Sequence, residues 1–193
     1  LGNISKPEIR AMAMERGFVD LVNKPESYEI CFIPDNDYRG FLKRRVPGLE
    51  EEVKGGNYVL SDGTVVGKHE GYPFYTIGQR KGLGLALGYP IFVTEVRKDT
   101  NEVVIGPLEQ LGKKGMLVRK LNMMKYPDLQ GNPLETITKV RYKHEGTPAV
   151  ISQEQDKIRV HFHEYVEAIT PGQAAVFYEG EDIVGGGWIE KSF

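Results

Sequence analysis

Alternation of apolar and polar residues with a period of two dominates the chain from Asn57 onward and predicts β-strands. The segment "NYVLSDGTVVGKH" places an Asp62-Gly63 turn between two β-branched runs, and "PIFVTEVRKDTNEVVIG" repeats this arrangement around "KDTN". Asp-Gly tolerates the positive φ angles of tight hairpin turns. We therefore expect two hairpins, with the Gly-rich segment "GQRKGLGLALG" between them.

Six further strand candidates follow Gly115 at roughly even spacing. They are "MLVRKLNMM", "ETITKVRY", "TPAVIS", "KIRVHFHE", "AAVFYEG" and "EDIVGGGWIE". Short strands separated by turns at regular intervals are typical of a small antiparallel barrel. We place a domain boundary near residues 109–115, before the first of these strands.

Helical periodicity is found near the start of the chain. Ser5 and Glu8 have the spacing of a capping box, in which each side chain satisfies a backbone N–H of the first helical turn. Apolar residues then recur at helical spacing, and Gly17 stands where a helix would end. Residues 6–16 are predicted to form one helix.

A second short helix is expected over residues 36–45, with Asp35 or Asn36 as its N-cap. The segment before it, residues 27–34, alternates as an extended strand. Cys31 would then face away from the side that carries the aromatic residues.

Composition and charge narrow the class of protein. The chain has 193 residues, of which 40% are hydrophobic and 27% charged, and its formal net charge is −2. No apolar run approaches the roughly 20 residues of a membrane span, so we expect a globular, non-membrane protein. A single cysteine excludes an internal disulfide and makes a cytoplasmic location the default expectation. The chain starts inside a helix-start pattern, which suggests a segment of a longer protein.

Positive charge is concentrated between residues 113 and 144, which hold eight lysines and arginines against two acids. The basic residues are Lys113, Lys114, Arg119, Lys120, Lys125, Lys139, Arg141 and Lys143. They predict an electrostatic footprint on one side of the barrel. Arg141 and Tyr142 combine a cation with an aromatic ring, which suits phosphate contact and base or ribose stacking. An edge strand protected by charge accounts for the same residues, and both interpretations stay open.

The Gly-rich segment raises the question of a phosphate-binding loop. The spacing of Gly82, Gly84 and Gly88 differs from that of a dinucleotide fingerprint. A proline and a strand follow, whereas a phosphate loop needs a helix N-terminus that faces the anion. A mobile or turn-rich connector is the favoured interpretation.

His161 and His163 lie on one face of a predicted strand, as two ligands of a metal ion would. A third ligand at a recognisable spacing is missing. We therefore favour packed or solvated histidines and predict no metal site in this segment.

Cys31 is the only cysteine of the chain. A lone cysteine is more often a small buried residue than a nucleophile. The neighbouring acids Glu29 and Asp35 would raise the pKa of its thiol, so any activation has to come from residues distant in sequence.

Three segments carry a resemblance to a known family: "KPESYEICFIPDNDYRGFL", "GKHEGYPFYTIGQRKGLGLALGYPIFVTEV" and "TPGQAAVFYEGEDIVGGGWIE". In these segments, and in the same order over nearly the whole chain, the sequence resembles the tRNA-specific 2-thiouridylases, the MnmA family. The resemblance implies a remnant of the N-terminal catalytic domain in residues 1–34, a central domain in 35–112 and a tRNA-binding β-barrel in 113–193. The fold class expected is mainly β with some α.

The family implies an activity, cofactors and partners. Its members replace the C2 oxygen of the wobble uridine of certain tRNAs with sulfur, after ATP adenylates that oxygen. The sulfur comes from a sulfur-relay protein or a cysteine desulfurase and travels as a cysteine persulfide. A second cysteine releases it and leaves a transient disulfide.

The resemblance also assigns residues. Cys31 matches the persulfide carrier in the pattern S-x-x-I-C-F-I, and Arg141, Tyr142 and Gln173 match tRNA-contacting positions. The pyrophosphate-binding "SGGxDS" loop and the second cysteine are absent from these residues. ATP would be bound by the missing N-terminal domain, and the segment alone is predicted to be inactive. The alternative is a non-catalytic RNA-binding barrel in which Cys31 only packs.

Overall fold

The computed structural model describes residues 2–24, 33, 35, 37–129 and 131–193. The chain divides into two compact units, residues 1–47 and 48–193. The first unit contains helices α1 (Lys6–Glu15), α2 (Val19–Asn23) and α3 (Tyr38–Arg45). None of the described helices is long and apolar enough to cross a lipid bilayer. The domain boundaries at 34/35 and 112/113 stay predictions.

Helix α1 begins as its sequence predicts. The backbone N–H of Ser5 donates to Glu8 Oε2 at 2.8 Å, and the Ser5 hydroxyl donates to the same oxygen at 2.6 Å. These hydrogen bonds lower the pKa of Glu8, with the side-chain bond from Ser5 as the largest cause. Gly17 follows the helix at φ +80°, a conformation that glycine adopts without steric cost. The helix predicted over residues 6–16 is therefore confirmed.

The N-cap predicted for the second helix is wrong. Helix α3 is capped by Asp37, whose Oδ1 accepts the backbone N–H of Gly40 at 2.9 Å. Asp35 instead accepts the backbone N–H of Asp37, the N-cap residue itself, at 3.2 Å. Asn36 lies outside the described residues. The helix itself, ending at Arg45, is as expected.

The second unit opens with helix α4 (Leu49–Val53), followed by a four-stranded sheet of β1 (Gly56–Val59), β2 (Val65–His69), β3 (Phe92–Arg97) and β4 (Glu102–Gly106). A 3₁₀ turn, Tyr72–Phe74, lies between β2 and β3. The order is β2-β1-β4-β3, with both hairpins antiparallel as predicted. Pairing of β1 with β4 is parallel, an arrangement that the local pattern does not reveal.

A closed barrel follows the 3₁₀ turn Leu108–Leu111 and confirms the six-stranded prediction. Its strands are β5 (Gly112–Met123), β6 (Leu134–Lys139), β7 (Thr147–Glu154), β8 (Lys157–Glu167), β9 (Ala174–Glu179) and β10 (Asp182–Ser192). Their order around the barrel is β10-β5-β8-β7-β6-β9, and every pair is antiparallel.

Alternating side chains fill the barrel. Along β8, Ile158, Val160 and Phe162 are buried, while His161 and His163 face outward. Burial of each such apolar side chain contributes about 1.5–3 kcal/mol. Side chains from the other strands complete this core, among them Met116, Val118, Ile151, Phe177, Val184 and Ile189.

The glycine-rich segment is a turn-rich connector, as predicted. Gly78, Gly82, Gly84 and Gly88 all have φ between +68° and +87°. The strand β3 follows this segment, so the segment does not lead into a helix as a phosphate-binding loop does.

Candidate nucleic-acid interface

The loop between β6 and β7 carries two of the three predicted tRNA-contacting residues. Strand β6 ends at Lys139, so Arg141 and Tyr142 lie in the loop and not on the strand predicted to include them. The alternative of a charged edge strand is wrong as well, because the closed barrel leaves β6 paired on both sides. Arg141 and Tyr142 are both exposed.

His144 holds this loop in shape. Its Nδ1 accepts the backbone N–H of Val140 at 3.4 Å, and its Nε2 lies 3.3 Å from the Thr147 hydroxyl. The backbone N–H of His144 also donates to the Arg141 carbonyl at 3.1 Å. The loop is therefore a closed turn with Tyr142 at its tip, where the residue is 98% exposed.

The field around the loop is positive. Burial is the largest cause that lowers the pKa of His144, and the charges of Arg141 and Lys139 lower it further. Glu145 acts in the opposite direction as the smallest of the four causes. A positive field at an exposed tip favours an anionic ligand.

Arg141 is tied to a second strand of the barrel. Its Nη1 donates to the backbone carbonyl of Glu167, the last residue of β8, at 3.0 Å. A guanidinium has five N–H donors in a planar fork, and Arg141 is exposed, so donors remain for an external ligand.

Gln173 precedes β9 and is fixed through its backbone. Its carbonyl accepts the N–H of Ile189 at 2.8 Å, and the N–H of the preceding Gly172 donates back to the Ile189 carbonyl at 2.8 Å. The Oε1 atom of Gln173 is buried and has no hydrogen-bond partner within the part of the chain that the structure describes. Trp188, the only tryptophan of the sequence, is 49% exposed and pairs in register with Ala174 beside this position.

The barrel brings Arg141, Tyr142 and Gln173 to one end. Strands β6 and β9 are antiparallel neighbours, with Lys139 opposite Val176. The loop after β6 and the segment before β9 therefore emerge on the same side. This proximity depends on strand pairing between residues more than 30 positions apart.

The single footprint expected from all eight basic residues is wrong. Strands β5 and β6 are separated by two strands in either direction around the barrel, so they form opposite walls. Lys113 pairs with Val166 near the end of β8 that Arg141 contacts. Lys125 instead makes ion pairs with Asp182 at 2.7 Å and with Glu179 at 2.5 Å, and Glu179 is the last residue of β9, at the end of that strand away from Gln173.

One basic and aromatic pair was missed by the sequence pattern. The ammonium group of Lys114 lies 5.0 Å from the centre of the Tyr165 ring, and Tyr165 is 71% exposed. Both residues are close to the barrel end that holds Arg141, since Gly112 pairs with Glu167 in the same register. The sequence did contain a signal for this pair, because the alternation of β8 places the aromatic residue Tyr165 on the outward face of the strand.

The two histidines of β8 have separate neighbours. His163 Nε2 lies 3.0 Å from Glu135 Oε2, and the ring of His161 lies 5.7 Å from that of Phe193. Among the described residues there is no group of three or more His, Cys, Asp or Glu side chains placed to hold a metal ion. Cys31, the predicted persulfide carrier, lies outside the described residues.

Two known families match this chain, one from α3 through the four-stranded sheet and the other over the barrel. The family described as "tRNA methyl transferase PRC-barrel domain" matches residues 39–107, and the family described as "Aminomethyltransferase beta-barrel domain" matches residues 113–189. A relative from Cytophaga hutchinsonii, named tRNA-specific 2-thiouridylase MnmA, is 67% identical over 193 residues, which is 100% of this chain and 52% of the relative. The chain belongs to the MnmA family.

Other relatives with the MnmA name match this chain over the same share of their length. The protein of that name from Amoebophilus asiaticus is 66% identical over all of this chain and 51% of its own length. The one from Salinibacter ruber is 54% identical over 99% of this chain and 50% of its own length. The chain thus spans about half the length of these curated relatives and matches the C-terminal half of MnmA. Arg141, Tyr142 and Gln173 all fall within the matched barrel family.

Proposed function

We propose that this chain is the tRNA-holding and sulfur-carrying part of a tRNA-uridine 2-sulfurtransferase. The relatives that match it are named as tRNA-specific 2-thiouridylases. The observation that carries the proposal is the convergence of Arg141, Tyr142 and Gln173 at one end of the barrel, although they come from two separate segments.

Each of the three residues has a role that its chemistry supports. Arg141 offers guanidinium N–H donors to a phosphate from a position fixed by Glu167. Tyr142 presents an almost fully exposed ring on which an unpaired base or a ribose stacks. Gln173 contributes a half-buried side-chain amide at a position that backbone hydrogen bonds to Ile189 fix.

Cys31 would carry the sulfur. Its thiolate attacks the outer sulfur of a persulfide on a sulfur-relay protein or cysteine desulfurase. A new S–S bond forms on Cys31 and the S–S bond of the donor breaks. The donor leaves as a thiolate, so the transfer needs no external oxidant. The resulting persulfide is a soft nucleophile for the activated C2 carbon of the wobble uridine.

The Gly-rich segment, among the residues that the structure describes, does not fit an ATP site. The Gly-rich segment has the positive φ angles of a loop that approaches a ligand, but it leads into strand β3 and not into a helix whose N-terminus could bind phosphate. The proposal assigns ATP binding and adenylation to sequence present in the longer relatives. The 193-residue chain, incubated with ATP, a sulfur donor and tRNA, should form no thiouridine.

The test of the sulfur role is made in cells whose gene for this chain carries Cys31→Ser. Mass spectrometry of the tRNA should show loss of 2-thiouridine at the wobble position, with normal protein level and retained tRNA binding. The matched variant Cys31→Ala should behave in the same way. Unchanged thiolation in both would leave a non-catalytic RNA-binding barrel as the function of this chain.

A further inference from the structure

The Gly-rich segment forms a loop between β2 and β3 whose backbone conformation is fixed by hydrogen bonds. The Gln79 carbonyl accepts the N–H of Val93 at 2.9 Å, and the Gln79 side chain accepts the N–H of Thr76 at 3.1 Å and donates to the Lys81 carbonyl at 2.9 Å. Leu83 is buried and anchors the following turn. The backbone around Arg80 and Lys81 is therefore held before any ligand arrives.

Arg80 and Lys81 point outward from this loop as cations without a partner. Both residues are exposed, and within the described ranges neither side chain makes a hydrogen bond, an ion pair or a ring contact. The sequence from Gly71 to Thr94 contains no aspartate or glutamate. Arg97, in contrast, is held by Glu95 at 3.0 Å. The loop thus leaves two positive charges for an external anion.

The same loop abuts the barrel end that carries the proposed tRNA contacts. A Cβ atom added to Gly78 would lie 3.0 Å from the Cβ of Ala168. Ala168 follows Glu167, whose carbonyl accepts the hydrogen bond from Arg141 at 3.0 Å. Arg80 is two residues from Gly78, a span of at most about 8 Å along the chain.

We propose that Arg80 and Lys81 bind phosphate groups of the same RNA molecule whose base or ribose stacks on Tyr142. The sheet would then contribute to RNA binding together with the barrel. The phosphate backbone of the RNA is the ligand that fits, because the loop offers two positive charges. The Gln79 amide, which could otherwise contact a base, is already hydrogen-bonded within the loop. This inference rests on the proposed tRNA binding.

The salt dependence of binding reports the number of phosphates that the protein neutralises. Removing one such interaction reduces the slope of log K against log salt by about 0.7–0.9. The double variant Arg80→Ala/Lys81→Ala should therefore show a slope smaller by about 1.5 units. Between roughly 50 and 200 mM salt, the affinity of the unsubstituted chain should therefore fall by a factor about eight times larger than that of the double variant.

The experiment titrates the 193-residue chain with a transcribed, unmodified tRNA that has uridine at the wobble position. Fluorescence of Trp188 and filter binding follow complex formation at several salt concentrations. Lys98→Ala is the matched control, because Lys98 is exposed and follows β3 at its far end, about 16 Å along the strand from Val93. Its salt slope should equal that of the unsubstituted chain.

The outcomes separate this inference from the proposed function. If Arg141→Ala weakens binding while Arg80→Ala/Lys81→Ala behaves like Lys98→Ala, the inference is overturned and the barrel contacts stand. If the unsubstituted chain fails to bind the tRNA, both are overturned. A slope reduction in Lys98→Ala about half that of the double variant, and so equal for each charge removed, would show a nonspecific effect of net charge and also overturn the inference. Circular dichroism confirms that each variant is folded.

Discussion

The Nη1 atom of Arg141 donates a 3.0 Å hydrogen bond to the backbone carbonyl of Glu167, which joins the β6–β7 loop to the end of β8. The bond restricts a long, flexible side chain without neutralising it, because a carbonyl carries no formal charge. An arginine held in this way loses less side-chain entropy when it binds phosphate. The loop beside it presents Tyr142 to solvent.

Replacing Tyr142 with alanine should weaken tRNA binding by about 1–3 kcal/mol if one base stacks on its ring. The free energy of unfolding should change by less than about 0.5 kcal/mol, because the residue is 98% exposed. Fluorescence titration and urea unfolding measure the two effects. Tyr142→Phe keeps the ring and should keep most of the affinity; equal losses of affinity in both variants would point to a hydroxyl contact instead.

Arg141 and Lys125 should differ in their contribution to RNA binding although both belong to the same basic stretch of sequence. Arg141→Ala should reduce the salt slope by about one unit. Lys125→Ala should leave the slope nearly unchanged, since Asp182 and Glu179 already neutralise this ammonium and raise its pKa, with the Asp182 hydrogen bond as the largest cause. A salt slope smaller by one unit in the Lys125 variant would show that Lys125 also binds phosphate, in spite of its ion pairs with Asp182 and Glu179.

Gly146 closes the β6–β7 loop at φ +107°, and a Cβ atom there would lie 2.5 Å from Ile137 Cγ2. Gly146→Ala should lower the free energy of unfolding by about 2–3 kcal/mol and should also weaken tRNA binding by displacing the loop. Gly180→Ala is the control, because Gly180 has φ +60° with no atom within 4 Å of an added Cβ. Its cost should be about 1 kcal/mol, from backbone strain alone. If urea unfolding gave equal losses of the free energy of unfolding in the two variants, a clash between the added Cβ and Ile137 would not be the cause.

Stability should fall on acidification because of His69. Burial lowers the pKa of this histidine, which packs against Tyr58 and Tyr75 and accepts the Gly71 N–H at 3.0 Å on its Nδ1. The unfolded chain, with a pKa near 6.5, binds a proton that the folded chain binds only at lower pH. The free energy of unfolding should therefore be constant above about pH 7.5 and decline below about pH 6.5, with a slope of at most about 1.4 kcal/mol per pH unit from this group.

Urea unfolding at several pH values, for the original chain and for His69→Gln, measures that slope. The glutamine does not titrate, so the decline below about pH 6.5 should become shallower by the contribution of His69. His144 also has a lowered pKa and should leave a residual slope of the same sign. An identical slope in the two proteins would show that His69 does not contribute.

Local patterns in the sequence determine most of the secondary structure. The capping box at Ser5 and Glu8 and the Asp62-Gly63 turn each involve residues within four positions of one another, so their physical cause is visible in the sequence. The period-two alternation of β8 shows which face is buried for the same reason. The residues of "RY" and "TPGQ" were also identified from sequence, through resemblance to the MnmA family.

Tertiary structure alone decides which of these elements are neighbours. The antiparallel pairing of β6 with β9 brings Gln173 to the end of the barrel that carries Arg141, whereas β5 and β6 lie on opposite walls despite their closeness in sequence. The close approach of Gly78 to Ala168, which places Arg80 near that end, joins residues 90 positions apart. These pairings join residues distant in sequence and depend on the closure of the whole barrel. No local sequence pattern therefore encodes them. The sequence thus determined the chemistry available, and the order of the strands decided which charges and rings act together.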